Sequence, residues 1–203
     1  MRRLLEPLLM FALIMTYIWK LRSLHPYFWI LIPALLLVSH ILHHESPRDL
    51  GFVSHGLLSL LKKITPLLIL IAAAMLSTGA LFHTLRPIDF RGAVFALAPY
   101  LPWGLTQQYL LNGYLLNRLD AALSPHASAL LTALLFSVAH TPNPFLMSVT
   151  FPLGWCATLL YRRTHNLYLL GIAHGVIGFL LFLVVPDSIS HHLRVGPGWY
   201  RPY

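Results

Sequence analysis

The sequence has one cysteine, few charges and no cluster of basic residues dense enough to follow a phosphate backbone. A single Cys156 excludes an intrachain disulfide. Its position inside an apolar segment reads as a small buried hydrophobe rather than a nucleophile, which disfavours a cysteine peptidase. Only 10% of the 203 residues are charged against 57% hydrophobic, and the mean hydropathy is +0.69. That ratio excludes a soluble globule and points to a polytopic membrane protein. The formal charge of +8 comes from 14 Lys and Arg scattered between apolar runs. They read as membrane-flank chemistry and leave nucleic acid without a surface to bind. Internal repeats and low-complexity segments are absent, and no small-x-small cleavage site follows the first apolar run.

What is present is a series of apolar segments with start and stop signals. Residues 1–22 read as an uncleaved first span, with Arg2 and Arg3 ahead of Leu8 to Trp19 and Lys20-Leu-Arg22 closing it. Tyr27 to Leu42 is a second, entered at Pro26 with Tyr27, Phe28 and Trp29 at the interface. Ile64 to Leu85 gives roughly 20 apolar residues, enough to cross a core of about 30 Å. Phe90 to Leu119 follows, and its Pro99 and Pro102 predict a kink or break just ahead of a polar stretch. Leu123 to His140 starts at Ser124-Pro125 and is stopped by Thr141-Pro-Asn-Pro144, which puts His140 at a helix end. Phe145 to Tyr161 has Gly154 for close packing and exits at Arg162-Arg163. Asn166 to Val185 is the last span, and Pro186 to Tyr203 reads as an interfacial or disordered tail.

The expected fold is all-α, a polytopic membrane bundle of about seven helices. It divides into N-terminal helices over 1–45, a core over 46–185 and a tail over 186–203. A cytoplasmic N-terminus sets eight Lys and Arg inside against six outside, a weak orientation bias.

Three polar features interrupt this pattern. His40, His43, His44 and Glu45 form an H-x-x-H-H run that puts His40 and His44 on one helical face, a candidate metal box. Membrane di-iron oxidases need several such boxes, however, and His83, His126, His165 and His191-His192 lack matching spacing, so an interfacial loop is the plainer reading and no metal is assigned. Ser46-Pro-Arg-Asp-Leu-Gly-Phe52 then reads as the start of an amphipathic helix, with Ser46 as N-cap. The third feature is Thr106-Gln-Gln-Tyr-Leu-Leu-Asn-Gly113, set in the middle of an apolar helix, where unused side-chain amides cost several kcal/mol.

Taken with Phe136-Ser-Val-Ala-His140 and His174-Gly-Val-Ile-Gly178, that stretch resembles the three-motif signature of the CPBP family of intramembrane peptidases. The family includes CAAX prenyl endopeptidases and bacteriocin-processing and immunity proteins. Its motifs run Glu-Glu-x-x-x-Arg, Phe-x-x-x-His and His-x-x-x-Asn/Asp. The likeness extends over roughly Arg48 to Leu183, with Gly113 behind the first motif, Leu134-Leu-Phe-Ser-Val-Ala-His140, and Tyr161-Arg-Arg-Thr-His-Asn-Leu167. The Ser46 to Phe52 run is similar to a Leu-Gly-Leu segment that often precedes the core.

Carried over by residue, the resemblance implies a site of Gln107, Gln108, His140 and His174, supported by Asn112, Phe136 and Gly178, with no cofactor. It implies a membrane-associated protein or peptide as substrate and partner, in a bacterial inner membrane. The departures matter: Gln107 and Gln108 stand where the family has glutamates, Asn112 where it has Arg, and Gly178 where it has Asn or Asp. A side-chain amide orients a water but cannot take its proton. The base then falls to His140, with Gln107 orienting the water, His174 donating to the oxyanion, and Gln108 or a bound water as second donor. The open alternatives are a catalytically inactive homologue acting as a membrane binding, immunity or scaffold protein, a sorting-signal peptidase of the myxosortase kind, and a His-box oxidase.

Overall fold

Backbone amides in hydrocarbon have no water to bond, so apolar runs of this length must satisfy themselves as helices. The computed structural model describes residues 2–201; Met1, in the expected first span, and residues 202–203, in the expected tail, lie outside the described residues. Among the described residues there is no strand, and 80% of the chain is helical. The elements are α1 (Arg3–Leu24), α2 (Tyr27–Leu42), α3 (Leu57–Leu81), a long α4, α5 (Pro125–Val138), α6 (Pro144–Thr164), α7 (Leu167–Val184) and a short α8 (Asp187–Ser190). The protein is an all-α membrane bundle. Four described helices, α1, α3, α6 and α7, are long and apolar enough to cross a membrane, while α2 and α5 are shorter apolar helices.

Helix α4 is central. It runs as an α-helix over Phe90–Gln108, widens into π-helical turns over Tyr109–Leu116 and closes at Asn117–Asp120. It packs against α1, α5, α6 and α7. Every residue from Leu111 to Leu116 is buried. The expected break at Pro99 and Pro102 does not occur: the helix is continuous through both prolines. The neighbouring α7 supports this stretch, with its backbone packed directly on Tyr100. The ladder changes instead just after Gln108, and a π-turn in that position is a common mark of a functional site.

Local starts follow the sequence. Asp89 accepts from Gly92 N at 2.8 Å, Asn143 Oδ1 from Leu146 N at 3.0 Å and Asn166 Oδ1 from Leu169 N at 2.9 Å, which caps α4, α6 and α7. Ser124 caps α5 with Pro125 in its first turn. Ser46 also caps, accepting from Asp49 N at 3.3 Å while Asp49 Oδ2 accepts from Ser46 N at 2.8 Å. The expected amphipathic helix is a single turn, however. Gly51 has φ +92°, and a Cβ there would meet the Tyr161 ring at 2.8 Å. The turn ends because the chain must dock on α6 and α7, where Gly51 O accepts from Leu167 N at 2.8 Å and Leu50 O from Tyr161 OH at 3.0 Å.

Two further expectations change. Cys156 is exposed on α6 rather than buried: a membrane helix turns apolar side chains outward as readily as inward, so apolar context alone does not report the side. The tail folds into α8 and short 3₁₀ turns over His191–Leu193 and Gly196–Tyr200.

Candidate active site

Three glycines set the site. A Cβ on Gly104 would lie 2.6 Å from Gly171 O and 2.7 Å from Gly175 N, and one on Gly175 would lie 2.7 Å from Tyr100 O. Helices α4 and α7 therefore touch backbone to backbone, which only residues without a side chain allow. One turn beyond Gly104 on α4, and beside Gly175 on α7, this crossing brings Gln108 against His174. Gln108 Nε2 stands 3.0 Å from His174 Nδ1, and Asn112 Nδ2 donates to Gln108 Oε1 at 2.7 Å. Gln108 and Asn112 are buried. With its oxygen engaged by Asn112, the Gln108 amide presents its N–H to His174, whose Nδ1 accepts; the neutral ring then carries its proton on Nε2.

His140 has the opposite tautomer. Its Nδ1 lies 2.7 Å from Phe136 O, and a carbonyl only accepts, so Nδ1 holds the proton and Nε2 keeps its lone pair. Phe136 touches both imidazoles edge-on, with ring centroids 4.8 Å from His140 and 5.8 Å from His174. Gly154 of α6 seats that ring, since a Cβ there would come within 3.0 Å of Phe136 Cδ1. The structure thus gathers Gln108, Asn112, Phe136, His140 and His174, with no hydrogen bond to either Nε2 among the described residues, so that one is placed to accept and the other to donate.

Gln107 bonds to neither histidine through its carbonyl: Oε1 is buried without a hydrogen-bond partner among the described residues, as are Asn112 Oδ1 and Thr132 Oγ1. A buried acceptor left in that state costs about 1–3 kcal/mol, a cost that a donating ligand removes. Gly178, one turn after His174, offers no polar group; a Cβ there would lie 3.2 Å from Tyr100 Cδ1, so the tyrosine ring takes the space. Two surface grooves, one at Met15, Thr16, Trp19 and Lys20 and one of about 570 Å³ between α1 and α2, do not touch these residues.

The histidine box dissolves into a different constellation. His40 Nδ1 is 2.7 Å from Glu45 Oε2 and Nε2 is 2.7 Å from Tyr109 OH, so both nitrogens are engaged. His43 Nε2 bonds Glu6 Oε2 at 2.8 Å. Because α2 ends at Leu42, and His44 has a left-handed backbone with φ 56°, the face that spacing assigns to His40 and His44 does not exist. No set of three metal-competent side chains occurs among the described residues.

The organising cation is Arg118. It donates to Glu6 Oε1 at 3.1 Å, Glu45 Oε2 at 2.7 Å and Ser39 Oγ at 2.9 Å, joining α1, α2 and the following loop to α4. Burial alone would raise the Glu45 carboxyl, but hydrogen bonds from Arg118 and His40 outweigh it and hold the group below the ordinary range. The available signal was an ionisable Glu6 inside an apolar run, which a flank count of Lys and Arg does not weigh.

A family model described as Rce1-like, type II CAAX prenyl endopeptidase, matches residues 89–180, from the cap of α4 into α7. The match contains Gln107, Gln108, Phe136, His140, His174 and Gly178. The match covers a little under half of the chain, and over it the protein is similar to that family, in line with the CPBP-type motifs. The matched segment is shorter than the stretch over which the motifs' context is similar. No curated protein and no solved structure matches the chain.

Proposed function

We propose that the protein is an intramembrane endopeptidase that cleaves a membrane-associated protein or peptide near its C-terminal or transmembrane segment. The observation that carries this reading is the pair of ring-nitrogen contacts, His140 Nδ1 to Phe136 O and His174 Nδ1 to Gln108 Nε2, from which opposed imidazole tautomers about Phe136 follow. His140 Nε2 takes a proton from water as the oxygen attacks the scissile carbonyl. His174 Nε2–H donates to the oxyanion, and Gln107 Oε1 accepts from the same water to orient it. The imidazolium of His140 then returns the proton to the leaving amine as the C–N bond breaks. Asn112 and Gln108 act through His174 as positioning residues. Candidate reactions are CAAX-like trimming and removal of a C-terminal sorting signal in a bacterial inner membrane.

A second reading, a silent relative that binds membrane proteins, is favoured by Gly178, where Tyr100 replaces a polar donor, and by the amides at positions 107 and 108. Loss of one oxyanion donor typically slows such a reaction about 10²- to 10³-fold, which leaves a slow or dedicated enzyme. Processing of the natural substrate in cells separates the two. The peptidase reading expects loss of processing in His140→Ala, a rate that rises with pH as the imidazole deprotonates, and preserved or raised activity in Gln107→Glu. Unchanged processing in His140→Ala refutes it.

A further inference from the structure

The chain beyond α8 returns to the end of the bundle where His140 lies. Arg86, between α3 and α4, anchors it: Nη1 bonds Asp187 Oδ2 at 2.9 Å, Nη2 bonds the other carboxylate oxygen, and Nε donates to Phe182 O at 2.6 Å. Past the 3₁₀ turn, Arg194 and Val195 are extended, with φ/ψ of −75/146° and −129/163°. Two bonds flank Val195. Arg194 O accepts from Asn143 Nδ2 at 3.1 Å, and Gly196 N donates to Thr141 O at 2.8 Å. Asn143 Nδ2 also donates to Ser190 O at 2.8 Å.

A carbonyl before and an amide after one extended residue is the pattern by which a peptide main chain is held on an edge. The receiving groups are well fixed: Asn143 is fully buried, with its other amide atom capping α6. Thr141 directly follows His140 in the chain. The register also has a shape requirement, because Gly196 is buried and a Cβ there would lie 2.7 Å from Ile18 Cγ2 on α1.

We propose that Thr141 and Asn143 form the subsite for the extended main chain of a peptide substrate at the approach to His140, and that residues 194–196 occupy it in the resting protein as a strap. This rests on the peptidase reading of His140. The subsite takes an extended peptide with a half-buried apolar residue followed by one without a side chain. A substrate reaches His140 by displacing the strap.

The test reads strap exposure, not cleavage, so it stands apart from catalytic competence. In a Cys156→Ser background, Val195→Cys reports displacement through its rate of maleimide labelling in detergent. Ser190→Cys, at a position 1% exposed, is the second reporter if Val195→Cys does not fold. Asp187→Asn removes the charged anchor and should raise labelling about tenfold, the scale of one charge-assisted hydrogen bond. A synthetic peptide of residues 190–201 added in excess should raise it further and saturably, whereas the same peptide with Gly196→Leu should not. Labelling that Asp187→Asn raises but the peptide leaves unchanged would mean a loose tail without a peptide subsite and overturns the proposal. So would labelling that responds equally to both peptides.

Discussion

Replacing Arg118 by methionine should cost this protein more than any other single charged-to-apolar change at that end of the bundle. Arg118 is 7% exposed and its guanidinium serves Glu6, Glu45 and Ser39, so methionine keeps much of the volume and removes every donor. Breaking a buried ion pair from one side typically costs about 3–5 kcal/mol. The Glu6 side chain is 36% exposed and Glu45 19%, so water screens part of the loss and the lower end, about 3 kcal/mol, applies. For a chain of this length each kcal/mol lowers the midpoint by about 2–4 °C, which gives a drop of about 6–12 °C in detergent melting followed by circular dichroism. Adding Glu6→Gln and Glu45→Gln should restore much of the drop, because the penalty is uncompensated charge rather than lost attraction. A midpoint within about 2 °C of wild type for Arg118→Met would refute the reasoning.

The same network gives a pH dependence. The folded Glu45 carboxyl lies below its ordinary value, so its stabilisation is complete above about pH 4.5 and is lost as pH falls through the folded value; Glu45→Gln should flatten that acid limb of the melting curve. Asp187 is lowered by its hydrogen bond from Arg86, so the tail anchor should weaken only as pH falls below about 4, read as faster proteolysis after residue 186. Gly175→Leu should separate α4 from α7, because the added carbon meets backbone rather than a movable side chain, and cross-linking between cysteines placed at positions 100 and 178 should fall. Asn112→Leu leaves Gln108 Oε1 buried without a donor and should cost about 1–3 kcal/mol in the same melts.

Punctuation sufficed for the start of α5, where Ser124-Pro125 caps as read, because capping is decided within four residues; the Asn143 and Asn166 caps follow the same rule but were not read from the sequence. That Gln108 and His174 would need polar partners was legible for a different reason. Polar groups in apolar helices must find partners, and Gln108 and His174 found each other. Sequence could not say which glutamine does so, since adjacent helical positions face about 100° apart and the facing one is chosen by the Gly104 crossing. The expected break at Pro99 and Pro102 does not form, because packing from α7 supports the helix, and the space beside Gly178 is taken by Tyr100. The Glu6–Arg118–Glu45 network joins residues up to 112 positions apart, and no local pattern encodes such a pairing.

The direct test of the opposed-imidazole site is nitrogen-15 NMR of histidine-labelled protein in detergent at a pH where both rings are neutral, with His140→Ala and His174→Ala to assign the signals. His140 should show a protonated Nδ1 and bare Nε2, and His174 the reverse, with the His174 pattern lost in Gln108→Leu. Finding both rings in the same tautomer, or His140 with its proton on Nε2, would contradict it.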